Sequence, residues 1–342
     1  MKKFYAFFAV VLVLNIIFLF VGIKPESASA EKKLKVGLVF DVGGKGDKSF
    51  NDSAYEGLKK AMKDFNIHAQ YIEPSESSDR EAALRLFAAQ NYDLIMSVGF
   101  IFTDDITIVA KEYPDRKFAD VDYVILSDKD GNPIPPPPNI CAMKFKEEEG
   151  SFLVGALSAL KTKTNKIGFI GGMDIPLIHK FESGFRQGAK YINPNIEIIA
   201  NYAGVTSAAF KDPAKGKELA LSQFNNNVDI IYHASGSTGL GLFEAARSLN
   251  KLAIGVDSDQ YHEAPGFILS SMVKKVDNAV YQVIKETYEG KYQNGARTFG
   301  LKEDGVGYIN DNNNKNLIPD DITKKMKEIE EKIIKGEIKV TI

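Results

Sequence analysis

Short apolar runs alternate with longer amphipathic stretches along most of this chain, and that alternation predicts its elements. The first run, Val36 to Phe40, reads as a strand that ends on Asp41. A glycine-rich turn follows, and Ser49 or Asn51 is placed to cap a helix that continues through Leu58 and Met62. The unit then recurs: strands are expected at 69–72, 94–98 and 117–121, with helices at 79–89 and 104–113 between them. After a proline-rich stretch the pattern resumes with a strand at 140–145 and a helix at 147–160. A second series has strands at 166–170, 196–202, 229–233, 253–256 and 267–272, with helices at 178–191, 213–224, 240–249 and 276–288. The tail, 321–334, is a charged amphipathic helix with Ile322, Met326, Ile329 and Ile333 on one side.

Strands separated by helices at this spacing predict an α/β protein with doubly wound parallel sheets, which take ligands at the carboxyl ends of their strands. Two successive series predict two similar lobes facing each other. Such chains cross the hinge more than once, so the expected units are discontinuous. Residues 33–145 with 274–295 form the N-terminal lobe, 146–273 with 296–342 the C-terminal lobe, and the ligand cleft lies at the hinge. The stretch from Asp128 to Asn139 holds Pro133, Pro135, Pro136, Pro137 and Pro138, which remove backbone donors. It is expected as a stiff exposed loop away from the ligand.

The first thirty residues read as a signal peptide. Lys2 and Lys3 precede an apolar run from Phe4 to Ile23, and the small residues Ser27 to Ala30 fit a cleavage site before Glu31. The run is long enough that an uncleaved membrane anchor is the alternative. Either way the body is expected to be exported, to the periplasm or the outer face of the cell membrane. No cysteine lies near this junction for lipid attachment; Cys141 is the only one in the chain. It excludes an internal disulfide and any multi-cysteine metal site, and reads as a buried structural thiol. A length of 342 residues allows two cores, and 44% apolar with 26% charged residues is ordinary for a globular protein. A net charge of -2 gives no reason to expect nucleic acid as a partner.

Several familiar patterns fail on inspection. The loop Gly43 to Ser49 resembles a phosphate loop, but Asp47 stands where glycine is required before Lys48 and Ser49, and an acid there repels phosphate. Gly236, Gly239 and Gly241 open a helix after a strand, a weak match to a dinucleotide fingerprint. Tyr113 and Lys117 have the spacing of a dehydrogenase pair, but Pro114 disrupts the helical turn that the pair needs. The histidines at 68, 179, 233 and 262 are dispersed, and no G-x-S-x-G elbow is present. Metal, cofactor and catalytic nucleophile are therefore not expected.

What remains is a set of strand ends carrying acids and loops carrying aromatics. Asp41, Asp122 and Asp257 each close an apolar strand, where an aspartate serves either as a turn former or as a ligand group. Phe50 and Phe210 lie at helix entries, where core packing competes with stacking on a planar ligand. Lys274 is the candidate cation, against the usual solvated fate of a lysine.

These residues also carry a family resemblance. The blocks are Phe40-Asp41 with Asp47 to Asn51, Lys117 to Asp122, Glu149 to Gly155, Lys166 to Pro176, Phe181 to Phe185, Gly255 to Gln260, and Ser270 to Lys275. Together they resemble the basic membrane protein family, whose well-understood members are purine nucleoside receptor lipoproteins of ABC importers. The resemblance implies a two-lobed periplasmic-binding-protein fold of the sugar-binding type (type I). It implies a monomeric, non-catalytic receptor for guanosine, inosine or adenosine that delivers to membrane permease subunits. Carried over by position, Phe50 and Phe210 sandwich the base, Asn51 and Asp122 bond its edge, Asp41, Asp257 and Lys274 take the ribose hydroxyls, and Gly236 offers backbone contact. Two departures stand out. The family's lipid-bearing cysteine is missing, and Asp120 adds an acid two residues before Asp122, on the same strand face if alternation holds. The competing functions are a sugar or autoinducer receptor, a nucleoside-processing enzyme such as a hydrolase, and a sensor feeding a membrane kinase.

Overall fold

The computed structural model describes residues 33–342 apart from Ser77; the expected signal peptide lies outside the described residues. Two six-stranded sheets organise the rest. In the first, β1 (Leu34–Val39), β2 (Ile67–Ile72), β3 (Leu94–Val98), β4 (Lys117–Val121) and β5 (Ile140–Phe145) pair in parallel, in the order β5-β4-β3-β1-β2. One face is covered by α1 (Phe50–Asp64), and the other by α2 (Asp79–Ala89) and α3 (Thr103–Glu112). The second sheet repeats the plan. Strands β6 (Lys166–Met173), β7 (Glu197–Gly204), β8 (Ile230–Ala234), β9 (Leu252–Asp257) and β10 (Ile268–Lys274) run in the order β10-β9-β8-β6-β7. Helices α4 (Glu147–Lys161) and α5 (Pro176–Ile192) cover one face; α6 (Pro213–Asn225) and α7 (Gly239–Leu249) cover the other.

The sixth strand of each sheet was not anticipated. Strand β11 (Gly295–Phe299) adds in parallel to β5, and β12 (Val306–Tyr308) adds antiparallel to β10. The helix before them, α8 (Val276–Tyr288), lies so close to α1 that a side-chain carbon at Gly57 would sit 2.3 Å from the carbonyl oxygen of Asp277. The first lobe thus takes back residues 276–299, not 274–295, because Lys274 still belongs to β10 and Phe299 closes the edge strand beside β5. The chain then returns to the second lobe, where Met326, Ile329 and Ile333 of α9 (Asp320–Ile334) are buried as their spacing predicts.

Burial follows the periodicity. The first sheet's inner cluster joins Val36, Leu38 and Met96 to Leu58 of α1 and Val280 of α8, while Phe87, Ile106 and Phe118 fill its outer face. Helices α4 and α5 meet along glycines: a side-chain carbon at Gly188 would lie 1.9 Å from the carbonyl oxygen of Phe152. The proline-rich stretch is largely exposed and held by a bridge between Ser127 and Pro133. Cys141 is fully buried in β5, where burial raises its thiol pKa to about 11. No helix among the described residues is long and apolar enough to cross a membrane.

Candidate ligand site

The strands of both sheets end at one cleft, and all eight residues expected there line it. Asp41, Phe50, Asn51 and Asp122 come from the first lobe; Phe210, Gly236, Asp257 and Lys274 come from the second. The matching strand orders explain the symmetry, because Asp122 follows β4 and Asp257 ends β9, the fourth strand of each series. Both turn sharply at positive φ, 69° and 65°, a conformation that aspartate tolerates better than most residues. The cavity between these walls has a volume of about 70 Å³.

The entry to α1 is built differently from its expected form. Ser49 occupies the cap position, but its hydroxyl crosses the cleft to Asp257, at 2.5 Å. The capping carboxylate belongs to Asp47, which accepts from the backbone N–H groups of Ser49 (2.9 Å), Asn51 (2.9 Å) and Asp52 (3.1 Å), and from the Asn51 amide (3.0 Å). Burial lifts the pKa of this carboxylate, and the four N–H donors around it pull the other way, favouring the ionised form. The other end of the Asn51 amide accepts the backbone N–H of Asp41 at 3.0 Å. Asn51 therefore ties loop to helix while facing the cavity, and part of its hydrogen-bonding capacity is already used.

Lys274 is not solvated. Its ammonium lies 2.6 Å from both oxygens of Asp122 and 3.0 Å from Glu147, with only 2% of the side chain exposed. Burial alone would lower its pKa, but Asp122, Glu147 and Asp257 outweigh that and raise it. Glu147 also pairs with Lys180 at 2.6 Å, whereas Asp122 has no second ion pair among the described residues. The ring of Phe50 lies against the same ammonium, 5.0 Å from its centre. The expected crowding of Asp120 and Asp122 resolves by separation. Asp120 accepts from the Ser97 hydroxyl (2.6 Å) and is held protonated by burial, while Asp122 turns to Lys274.

Asp41 keeps part of its surface open to the cleft but is enclosed densely enough that burial lifts its pKa to about 7. Asp257 is raised to about 7 by burial, against the pull of Lys274 and Ser49. Phe210 ends a short turn tied to the next loop: the hydroxyls of Ser237 and Thr238 donate to the carbonyls of Phe210 (3.1 Å) and Ala209 (2.8 Å). Its ring occupies the space that a side chain at Gly172 would fill. Gly236, at φ 56°, packs beside the Phe210 carbonyl.

Among the described residues, three hydrogen bonds join the lobes beside the cleft, in addition to the Asp122–Lys274 pair. Besides Ser49 to Asp257, the Ser258 hydroxyl donates to the Ser49 carbonyl (3.1 Å), and the Gln260 amide donates to the Lys48 carbonyl (2.8 Å). Gln260 is held from behind by buried His233, 3.1 Å away. Burial lowers the His233 pKa to about 4, so the ring is neutral; since the Gln260 oxygen can only accept, the ring nitrogen donates. The cavity is completed by Phe100, Leu177, Ile178, Phe181 and Val256, which sequence reasoning missed. Phe100 comes just after a strand and Leu177 and Ile178 open a helix, which was their one signal; Phe181 in the second turn of α5 and Val256 inside β9 carried none. Glu147 was missed because it opens a run of three glutamates, which reads as a solvated face. Among the described residues no group of histidine, cysteine or acidic side chains could hold a metal ion.

Comparison with known proteins agrees with this architecture. A family model described as ABC transporter substrate-binding protein PnrA-like (Bmp) matches residues 34–341. A "CD4+ T-cell-stimulating antigen" of Listeria innocua is 36% identical over 339 residues, covering 93% of this chain and 90% of the relative. The "ABC transporter nucleoside-binding protein BmpA" of Lactococcus lactis is 34% identical over 308 residues, 84% of each chain. Among solved structures, an ABC transporter solute-binding protein from Aeropyrum pernix superimposes with a TM-score of 0.80 at 29% identity, covering 90% of this chain and 92% of that one. The two parallel-sheet lobes are those of the type I, sugar-binding class of solute-binding folds. With a family match over residues 34–341 and relatives above 30% identity, this chain belongs to the Bmp (PnrA-like) family of ABC transporter substrate-binding proteins.

Proposed function

We propose that the cleft captures a purine nucleoside, without chemical change, and that the closed complex delivers it to the membrane subunits of an ABC importer. One observation carries this reading: Phe50 and Phe210, from opposite lobes, line one cavity together with the carboxylates of Asp41, Asp122 and Asp257. A nucleoside has a flat apolar face, an edge of donors and acceptors, and vicinal hydroxyls. Aromatic rings answer the face, at about 1–3 kcal/mol for each ring-base contact. Carboxylates accept from hydroxyls and ring N–H groups in strong charge-assisted bonds. In this reading Asp122 takes the base edge, and Asp41 and Asp257 take the sugar. Lys274 keeps Asp122 ionised as well as offering its own N–H. The nucleoside-binding name of the Lactococcus relative supports the same assignment. Export by the N-terminal leader, and retention at the outer face of the membrane, belong to this reading too.

A thermal-shift panel tests it. Inosine, guanosine and adenosine should each raise the unfolding temperature, while ribose and galactose should not. Stabilisation by a sugar with no response to any nucleoside would refute the proposal. Release of free base from inosine by the purified protein would replace a receptor with a hydrolase.

A further inference from the structure

We propose that Asp47 acts as a resident anion at the cleft end of α1 and makes this site reject phosphorylated ligands, so that free nucleosides bind and their phosphate esters do not. The inference rests on the nucleoside reading above and sharpens it. A helix that opens on a ligand cleft ordinarily offers its first N–H groups to a phosphate. Here those groups are taken. The Asp47 carboxylate, 4% exposed, occupies the backbone N–H groups of Ser49, Asn51 and Asp52 and the Asn51 amide. Asp47 also lines the cavity. The loop that looks like a phosphate cradle in sequence thus carries its own negative charge where the phosphate would bind.

No other wall compensates. Among the described residues lining the cavity, Lys274 is the single cation, and Asp122 and Glu147 already neutralise it. The neighbouring groove beyond Asp257 carries Lys45, Lys48 and Lys275, but acids outnumber them, and Lys275 is paired with Asp304. A phosphate monoester brings a charge of about −1.5 to −2 at pH 7, and like charges brought together in such a site cost several kcal/mol. A nucleotide must therefore lose its phosphate by hydrolysis, giving the free hydroxyl and inorganic phosphate, before this protein can capture it.

The test is calorimetry at pH 7.5 on the full mature chain with three probes: inosine, inosine 5′-monophosphate, and inosine 5′-O-acetate as a neutral control of bulk. The monophosphate should bind about 100-fold or more weakly than inosine, and the acetate at least about tenfold better than the monophosphate. Asp47→Asn should narrow the gap between inosine and its monophosphate about tenfold; should that variant fail to fold, the three wild-type affinities still decide. Equal binding of inosine and monophosphate would overturn the inference. So would equal rejection of acetate and monophosphate, since bulk and not charge would then be the cause. If no nucleoside binds at all, the nucleoside reading itself falls and takes this inference with it.

Discussion

Replacing Lys274 by methionine removes the cation shared by Asp122 and Glu147 while keeping an unbranched side chain of similar length. At an effective dielectric of 20, each close ion pair is worth about 4 kcal/mol of gross attraction. Desolvation of the ammonium offsets several kcal/mol of that. The larger effect comes from what stays behind, because orphaning a buried charge costs about 3–5 kcal/mol. The two carboxylates are not equivalent in this respect. Glu147 keeps Lys180 at 2.6 Å, but Asp122, with 4% of its side chain exposed, loses its only ion pair among the described residues. Lys274→Met should therefore lose about 3–5 kcal/mol at pH 8, or at least about 6 °C in a domain of this size. It should lose less at pH 5. Burial already raises the Asp122 pKa against the pull of Lys274; without the lysine it rises further above its unfolded value, so the folded form binds the extra proton more tightly and stability falls more steeply as pH rises. Adding Asp122→Asn should recover most of the loss, whereas adding Glu147→Gln should not, since it strands Lys180 as well. Urea unfolding at both pH values reads all of this. A single-variant loss under about 1 kcal/mol, or equal rescue by the two second-site changes, would refute the account of the network.

Phe50→Ala and Phe210→Ala should each weaken nucleoside affinity by about 5- to 150-fold with unchanged far-UV dichroism; full affinity in both, by calorimetry, would move the base elsewhere. Asp257 has a folded pKa of about 7 against an ordinary 3.8, so the wild type should lose stability as pH rises from 4 to 7, by at most about 4 kcal/mol from this group. Asp257→Asn should flatten that part of the profile, and an unchanged slope in thermal scans would contradict the raised pKa. Ser49→Ala with Gln260→Ala removes two of the contacts across the cleft mouth and should speed ligand release in stopped-flow experiments, with little change in association. Gly188→Ala should destabilise by about 1–3 kcal/mol in urea titrations by forcing α4 from α5; an unaffected midpoint would mean that the helices are free to separate there.

Elements with strong local pattern were legible from sequence. The helix 79–89 and the strands 94–98, 117–121 and 140–145 fall where period and composition place them. The edge strands were not. β11 is five residues of alternating partial burial and β12 only three, so each is defined by the neighbour it joins and not by its own sequence. Ser49 stands at the expected cap position of α1, but the path of its hydroxyl was not legible, since its partner Asp257 is 208 residues away. Strand-end aspartates and the family blocks brought eight cleft residues to notice. Phe100, Phe181 and Ile178 stayed hidden because an apolar residue facing a ligand looks like one facing a core. Lys274 and Asp122 were legible as cleft residues, but not as partners, because each sits at the end of a strand in a different sheet.

The threading of the chain between its two sheets has a consequence for biosynthesis. Residues 34–145, although first to leave the ribosome, lack the strand that borders β5 and the helix that lies against Gly57. Both arrive only once residues 276–299 have been made. The N-terminal unit therefore cannot complete its sheet and helix layer ahead of the rest of the chain, as an N-terminal domain ordinarily does. A truncation ending near residue 270 would leave the first half with an open sheet edge, a template for self-association.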